Sequence, residues 1–158
     1  MIGSPMPAIP VRWSSDETVE SMDDYRGRVL VLDFFSPYYF EAFDSFTPMR
    51  ELRARYDEER VAFVGVLPFE HVRTATRQPD GQPETEGEAV ARFMEDQDIA
   101  WDLVVASFDT FEEYALPTFP HFVFIDRDGV IRFQGRHTDA KTMTVLIDDL
   151  LARPSSGD

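Results

Sequence analysis

The chain has 158 residues, with 30 Asp and Glu against 15 Lys and Arg and a formal net charge of −15; the length suits one domain, and the charge opposes nucleic acid and anionic membrane surfaces. At 43% hydrophobic and 13% aromatic residues it carries the core-formers that a disordered chain lacks. It contains no cysteine, which excludes disulfides, thiolate metal sites and every thiol mechanism within this chain.

Lys141 is the only lysine, and arginine usage of this kind, with the acidic surplus, fits a GC-rich genome or a salt-adapted proteome. No apolar run approaches the roughly 18 residues of a transmembrane helix. Residues 1–10 have neither the basic start nor the apolar centre of a secretory leader. The expectation is a soluble chain without membrane insertion or a nucleic-acid partner, its compartment and oligomeric state open.

In chain order, residues 1–10 read as a proline-rich irregular lead-in, 11–153 as a single domain and 154–158 as a disordered tail. Residues 11–13 are a candidate edge strand, and Arg26-Gly27-Arg28 closes a polar acidic stretch as a turn. Val29-Leu30-Val31-Leu32-Asp33-Phe34-Phe35 is a nearly unbroken apolar run, as in strands buried on both faces of a parallel sheet. Phe46, Met49, Leu52 and Tyr56 recur at helical spacing and predict an amphipathic helix over 43–60. Residues 61–67 form a second apolar strand, so the unit is βαβ and the class α/β. Residues 68–87 read as a long loop turning at Asp80-Gly81, followed by a helix over 88–96 and a strand over 101–105. Helical turns over 108–116 stop at Pro117. Strands over 121–125 and 130–134 flank Asp126-Arg127-Asp128-Gly129, where Asp-Gly signals a hairpin. Thr138 or Asp139 caps a last helix with apolar positions Met143, Val145, Leu146, Leu150 and Leu151.

Two stretches carry a family resemblance. Arg26-Gly27-Arg28-Val29-Leu30-Val31-Leu32-Asp33-Phe34-Phe35-Ser36 resembles the strand of thioredoxins and TlpA-like redoxins (the AhpC/TSA-type group) that leads into their Cys-x-x-Cys helix. Tyr114-Ala115-Leu116-Pro117-Thr118-Phe119-Pro120-His121-Phe122-Val123-Phe124-Ile125-Asp126-Arg127-Asp128-Gly129 resembles their proline-and-hairpin segment. The resemblance covers about residues 6 to 152. It implies a thioredoxin fold, with a central mixed sheet built from the βαβ unit and a C-terminal hairpin and flanked by helices. It also implies a cis peptide bond before Pro120, the bond type for which cis is accessible, and strand-like pairing of Phe119 backbone groups with an extended peptide. A loop proline without that role is the plainer reading. Relatives are often exported proteins.

The family's two cysteines fall on Tyr39 and Ala42; a one-residue shift, prompted by Pro48 standing one place beyond the expected helix proline, moves the cysteine positions to Tyr38 or Phe40. No register supplies a nucleophilic thiol, so disulfide exchange and peroxidase chemistry by this chain's own side chains are excluded. Copper delivery loses its soft ligands too. Asp33 matches the buried carboxylate behind the cysteine pair. It is a retained proton relay, or a hydrogen-bonded vestige, and if buried it titrates well above 4.

His71, His121 and His137 are the only histidines. His121 follows Pro120, and a Glu41/His121 acid–base or metal pair near Tyr39 is the enzymatic alternative; two ligands fall short of a metal site, and neither metal nor cofactor is expected. Tyr38, Tyr39, Phe40 and Phe119 form an aromatic group at positions exposed around the redox centre of relatives, either a binding surface or rings closing a vestigial cleft. The functional expectation is a redox-inactive domain binding an extended peptide or protein through Tyr38, Tyr39, Phe40, Glu41, Phe119, Pro120 and His121. The alternatives are non-thiol or metal-assisted chemistry by Tyr39, Glu41 and His121, or a structural module of a larger oxidoreductase-related protein.

Overall fold

The structure, a computed structural model, describes residues 1–74, 78–116, 119–136 and 139–156, with Phe40 described by its backbone alone. His137, Pro117 and Thr138, each named above, lie outside the described residues. Six strands form one sheet: β1 (Trp13–Ser14), β2 (Val29–Phe34), β3 (Val61–Pro68), β4 (Asp102–Ala106), β5 (His121–Ile125) and β6 (Ile131–Gly135), in the order β1-β4-β3-β2-β5-β6. β2, β3 and β4 run parallel, while β1, β5 and β6 pair antiparallel with their neighbours. The expected α/β class, parallel βαβ unit and hairpin are all present.

Every residue of β2 and β3 is buried, as their unbroken apolar runs require. Side chains alternate across the sheet. Val29, Val31 and Phe35 face a core shared with α1 (Phe46–Arg55), α2 (Glu86–Asp96) and α4 (Ala140–Ala152). Leu30, Leu32 and Phe34 face a second core with Ile9, Met22, Tyr25 and, from α3 (Phe108–Glu113) and its end, Phe111 and Tyr114. Among the described residues no helix is long and apolar enough to cross a membrane.

Several boundaries differ from the sequence expectation. The helix read over 43–60 is a 3₁₀ stretch, Phe40–Ser45, followed by α1. Pro48 has no N–H for the Asp44 carbonyl and crowds it, so the α pattern starts only at Phe46. It ends at Arg55 because Asp57 diverts the chain: its carboxylate accepts the Glu59 N–H at 3.0 Å and its carbonyl accepts those of Arg60 and Val61. α2 starts at Glu86, two residues early, held by a reciprocal capping box between Thr85 and Glu88. α3 is shorter than expected and ends at Glu113, with Tyr114 as its C-cap and Ala115 next at φ +52°. On α4, capped by Asp139, Met143, Ile147 and Leu150 are buried, whereas Val145 is 64% exposed. The inward stripe runs through 143, 147 and 150, leaving Val145 on the outer side.

Described residues near both ends of the chain hydrogen-bond to the hairpin. The Gly3 and Met6 N–H groups donate to the Ile131 and Gly129 carbonyls, and Ile131 N–H donates to Ser4. Val130, read as part of the last strand, instead bridges Pro5 of the lead-in. In the expected disordered tail, Ser155 and Ser156 hydrogen-bond to the Asp128 carboxylate.

Gly65 in β3 pairs laterally with Asp33 and Leu103. A Cβ there would meet Leu103 Cδ2 at 2.4 Å and Phe35 Cε1 at 3.0 Å, both on fully buried side chains. Gly65→Ala is expected to lower stability by about 1–3 kcal/mol. Urea midpoints check it, and an unchanged midpoint would show that this core has slack.

Candidate functional site

β2 delivers the chain to the site. With odd positions turned toward α1, Asp33 enters that core fully buried and lies beneath Ser45, which is buried too. The Ser45 hydroxyl stands 2.8 Å from Asp33 Oδ2 and 2.7 Å from the Ala42 carbonyl. One hydroxyl hydrogen cannot serve both acceptors. A protonated Asp33 resolves this: its O–H donates to Ser45 Oγ, and Ser45 donates to Ala42. The other oxygen, Oδ1, is buried with no hydrogen-bond partner among the described residues, which also disfavours the charged form. Burial pushes the Asp33 carboxyl up to about 7, opposed in part by the hydrogen bond from Ser45.

Tyr39 is the N-cap of the 3₁₀ stretch and is 47% exposed, whereas Ala42 is fully buried; the Ala42 N–H donates to the Tyr39 carbonyl at 3.0 Å. Position 39 thus opens outward at a helix start, and position 42 faces inward above the Asp33–Ser45 pair. Tyr38, also 47% exposed, packs its ring at a tilt against His71, centroids 4.6 Å apart, and lies 4.1 Å under the Arg73 guanidinium. Glu41 is exposed.

The Phe119–Pro120 peptide bond is cis. Phe119 is half-buried, its ring 5.6 Å from Tyr39 and 5.3 Å from Phe111. Pro120 and His121 are buried, and His121 opens β5 opposite Phe34 of β2. Tyr39 and Phe119 are therefore brought together across the helix start, while Glu41 is on the surface and His121 inside the sheet. Among the described residues no three His, Asp or Glu side chains converge as a metal-binding group.

A polar contact that local sequence pattern does not reveal joins Ser36 to His71. Ser36 Oγ is 2.7 Å from His71 Nδ1 and accepts the Tyr38 N–H at 3.2 Å. Burial holds His71 below the usual imidazole range, against the pull of Glu70. The Ser36–His71 hydrogen bond, whose donor is set by the imidazole tautomer, fixes the backbone from which Tyr38 and Tyr39 project. Ser36 is fully buried, so it positions this loop and is not an exposed nucleophile. His71 ring contacts continue to Phe108 at 5.5 Å, Phe108 stacks on Phe111 at 5.8 Å, and Phe111 meets Phe119. An aromatic belt therefore runs from Tyr38 round to Phe119. His71 and Ser36 are 35 positions apart, and the only sequence signal for the pair was the chemistry of a lone imidazole.

No protein-family model matches the sequence, and no curated protein matches it. Solved structures do. A thioredoxin-like superfamily protein superposes at a TM-score of 0.76 with 17% identity, over 96% of this chain and 99% of that one. A thiol-disulfide isomerase from Corynebacterium glutamicum gives 0.75 with 21% identity, over 96% and 98%. A thiol:disulfide interchange protein from a Bacteroides species gives 0.70 with 19% identity, over 99% and 94%. The chain thus has the thioredoxin-like fold found in thiol-disulfide oxidoreductases, and it carries no cysteine with which to run their reaction.

Proposed function

We propose that this protein is a redox-inactive binding protein that takes an extended peptide segment, alone or within a protein partner, across Phe119–Pro120 and the rings of Tyr38 and Tyr39. The observation that carries the reading is where apolar surface remains exposed. Among the described residues the exposed large hydrophobic side chains are Met1, Ile2, Tyr38, Tyr39 and Val145, and the adjacent tyrosine pair stands at the helix start beside Phe119. Exposed aromatic rings anchored by a rigid belt are the residue types that dominate binding hot spots. Backbone groups of Phe119, beside these rings, are the ones that would pair with a strand-like ligand. With a net charge of −15, basic or neutral apolar segments associate faster than acidic ones.

The test uses a permanently unfolded, carboxamidomethylated basic protein as ligand and amide chemical shifts as readout. Saturable shifts at Tyr38, Tyr39 and Phe119 are expected, and Tyr39→Ala/Phe119→Ala is expected to weaken binding about 30-fold, the equivalent of roughly 2 kcal/mol for lost aromatic anchors. Full affinity in the double variant would overturn the reading. Dithiol-dependent insulin reduction above the blank would overturn its redox half.

A further inference from the structure

A pocket of about 210 Å³ lies between the end of β3 and α2, apart from Tyr39 and Phe119. Leu67 and Val90, both buried, form its floor, and the half-buried rings of Phe43 and Phe93, with centroids 6.2 Å apart, form its walls. Val72 stands at the lip, and Arg73 and Arg92 also line it.

The two arginines differ in what they leave available. Arg92 is committed: Nε and Nη2 donate to the Glu84 carboxylate at 2.8 and 3.0 Å, and Nη2 also donates to the Arg73 carbonyl at 3.3 Å. It holds the Arg73 backbone in place. Arg73 itself has no carboxylate partner among the described residues; its guanidinium rests over the Tyr38 ring. In a chain of net charge −15 this places a guanidinium with no acidic partner among the described residues beside a pocket lined mainly by apolar side chains.

An apolar body and one anionic group answer that arrangement. A cavity of about 150 Å³ with apolar walls is known to hold benzene, so this one takes a single aromatic ring with a short arm. The exposed faces and edges of the Phe43–Phe93 pair favour a ring packed against them, and a carboxylate matches the planar donor pair of a guanidinium. We infer that the pocket binds a small aromatic monocarboxylate, the ring packed against the Phe43–Phe93 pair and the carboxylate on Arg73. Ligand-specific pockets of this make are concave and mostly apolar, with few polar groups fixing orientation.

The probe is 3-phenylpropanoate, with methyl shifts of Leu67, Val72 and Val90 as readout and 3-phenylpropanamide as the uncharged control. Saturable shifts are expected with the acid, and the amide is expected to bind about tenfold or more weakly, as loss of a charge-assisted contact implies. Arg73→Met, an exposed position, is expected to reduce affinity for the acid to that for the amide. Val72→Trp, checked for retained fold by far-UV circular dichroism, is expected to abolish both. Tyr39→Ala/Phe119→Ala leaves this binding intact, which separates it from the peptide reading. Absence of saturable shifts at millimolar acid, equal affinity for acid and amide, or an Arg73→Met variant that binds the acid as the wild type does would each overturn the inference.

Discussion

Asp33→Asn is expected to remove a component of pH-dependent instability worth roughly 4 kcal/mol, taking about 1.4 kcal/mol for each unit between 3.8 and about 7. The sign follows from linkage. Because the folded pKa of Asp33 is raised, the folded state holds a proton between pH 3.8 and 7 that the unfolded chain has released, so stability falls as pH rises through that window. Below 3.8 both states are protonated and nothing is lost; above about 7 the full cost is present. Asparagine keeps the shape of the neutral acid, and its amide N–H replaces the donor to Ser45. The wild type minus variant difference in unfolding free energy, from urea titrations at a series of pH values, isolates this residue, since the other carboxylates are common to both proteins. Parallel pH profiles for the two proteins would show that Asp33 is ionised in the folded state and that the chain from Asp33 through Ser45 to Ala42 is not a proton-holding one. The wild type is also expected to be the less stable of the two at pH 8, which reverses the usual cost of altering a buried hydrogen-bonded residue.

The parts of this molecule that were readable in the sequence are those governed by apolar periodicity. The runs at 29–35 and 61–67 are buried on both faces of the sheet because no polar residue interrupts the period except Asp33, and that exception marks the site. The Asp-Gly turn placed the hairpin, shifted by one residue because the chain start competes for Val130. What escaped was set by polar groups acting at short or very long range. Pro48 and Asp57 trimmed the helix from both ends through backbone hydrogen bonds that the apolar pattern does not register. The Thr85–Glu88 capping box was written in the sequence as T-x-x-E, but it lay inside a Pro- and Gly-rich stretch that read as loop. The Ser36–His71 contact and the Arg73–Tyr38 stack depend on the loop after β3 folding back on the loop after β2. Only the parallel pairing of those strands brings them together. The resemblance places the family's cysteine positions on residues 39 and 42, and the structure shows that these two differ in kind: position 39 is open to solvent and position 42 is not.

That difference makes a cysteine pair introduced at 39 and 42 a stringent test of whether this chain's fold supports redox chemistry there. In Tyr39→Cys/Ala42→Cys the two sulfurs are carried on residues joined by an i to i+3 hydrogen bond of 3.0 Å, a turn whose Cα separation lies within the range of about 4.4–6.8 Å that a disulfide spans. Closing so short a loop stabilises the oxidised form by about 2 kcal/mol on chain entropy, read as a higher thermal midpoint without reductant than with it. Chemistry follows from placement. A thiol at exposed position 39 sits at a helix start, where the N-terminal dipole favours the thiolate, and attacks a substrate disulfide to form a mixed disulfide. The buried thiol at 42, after losing its proton, displaces it, releasing the substrate as a dithiol and leaving the 39–42 disulfide for dithiothreitol to reduce. Asp33, beneath position 42 and titrating near 7, is placed to accept that second proton. The double variant is therefore expected to reduce insulin with dithiothreitol above the blank. Adding Asp33→Asn, which cannot take up the proton, is expected to slow turnover without preventing the disulfide. The shifted pair Tyr38→Cys/Glu41→Cys, with position 41 exposed on the turn, is the control. If it matched the first pair in turnover, the register that places the pair on 39 and 42 would be wrong; if neither pair turned over while both formed disulfides, the surroundings of these positions would not support disulfide exchange.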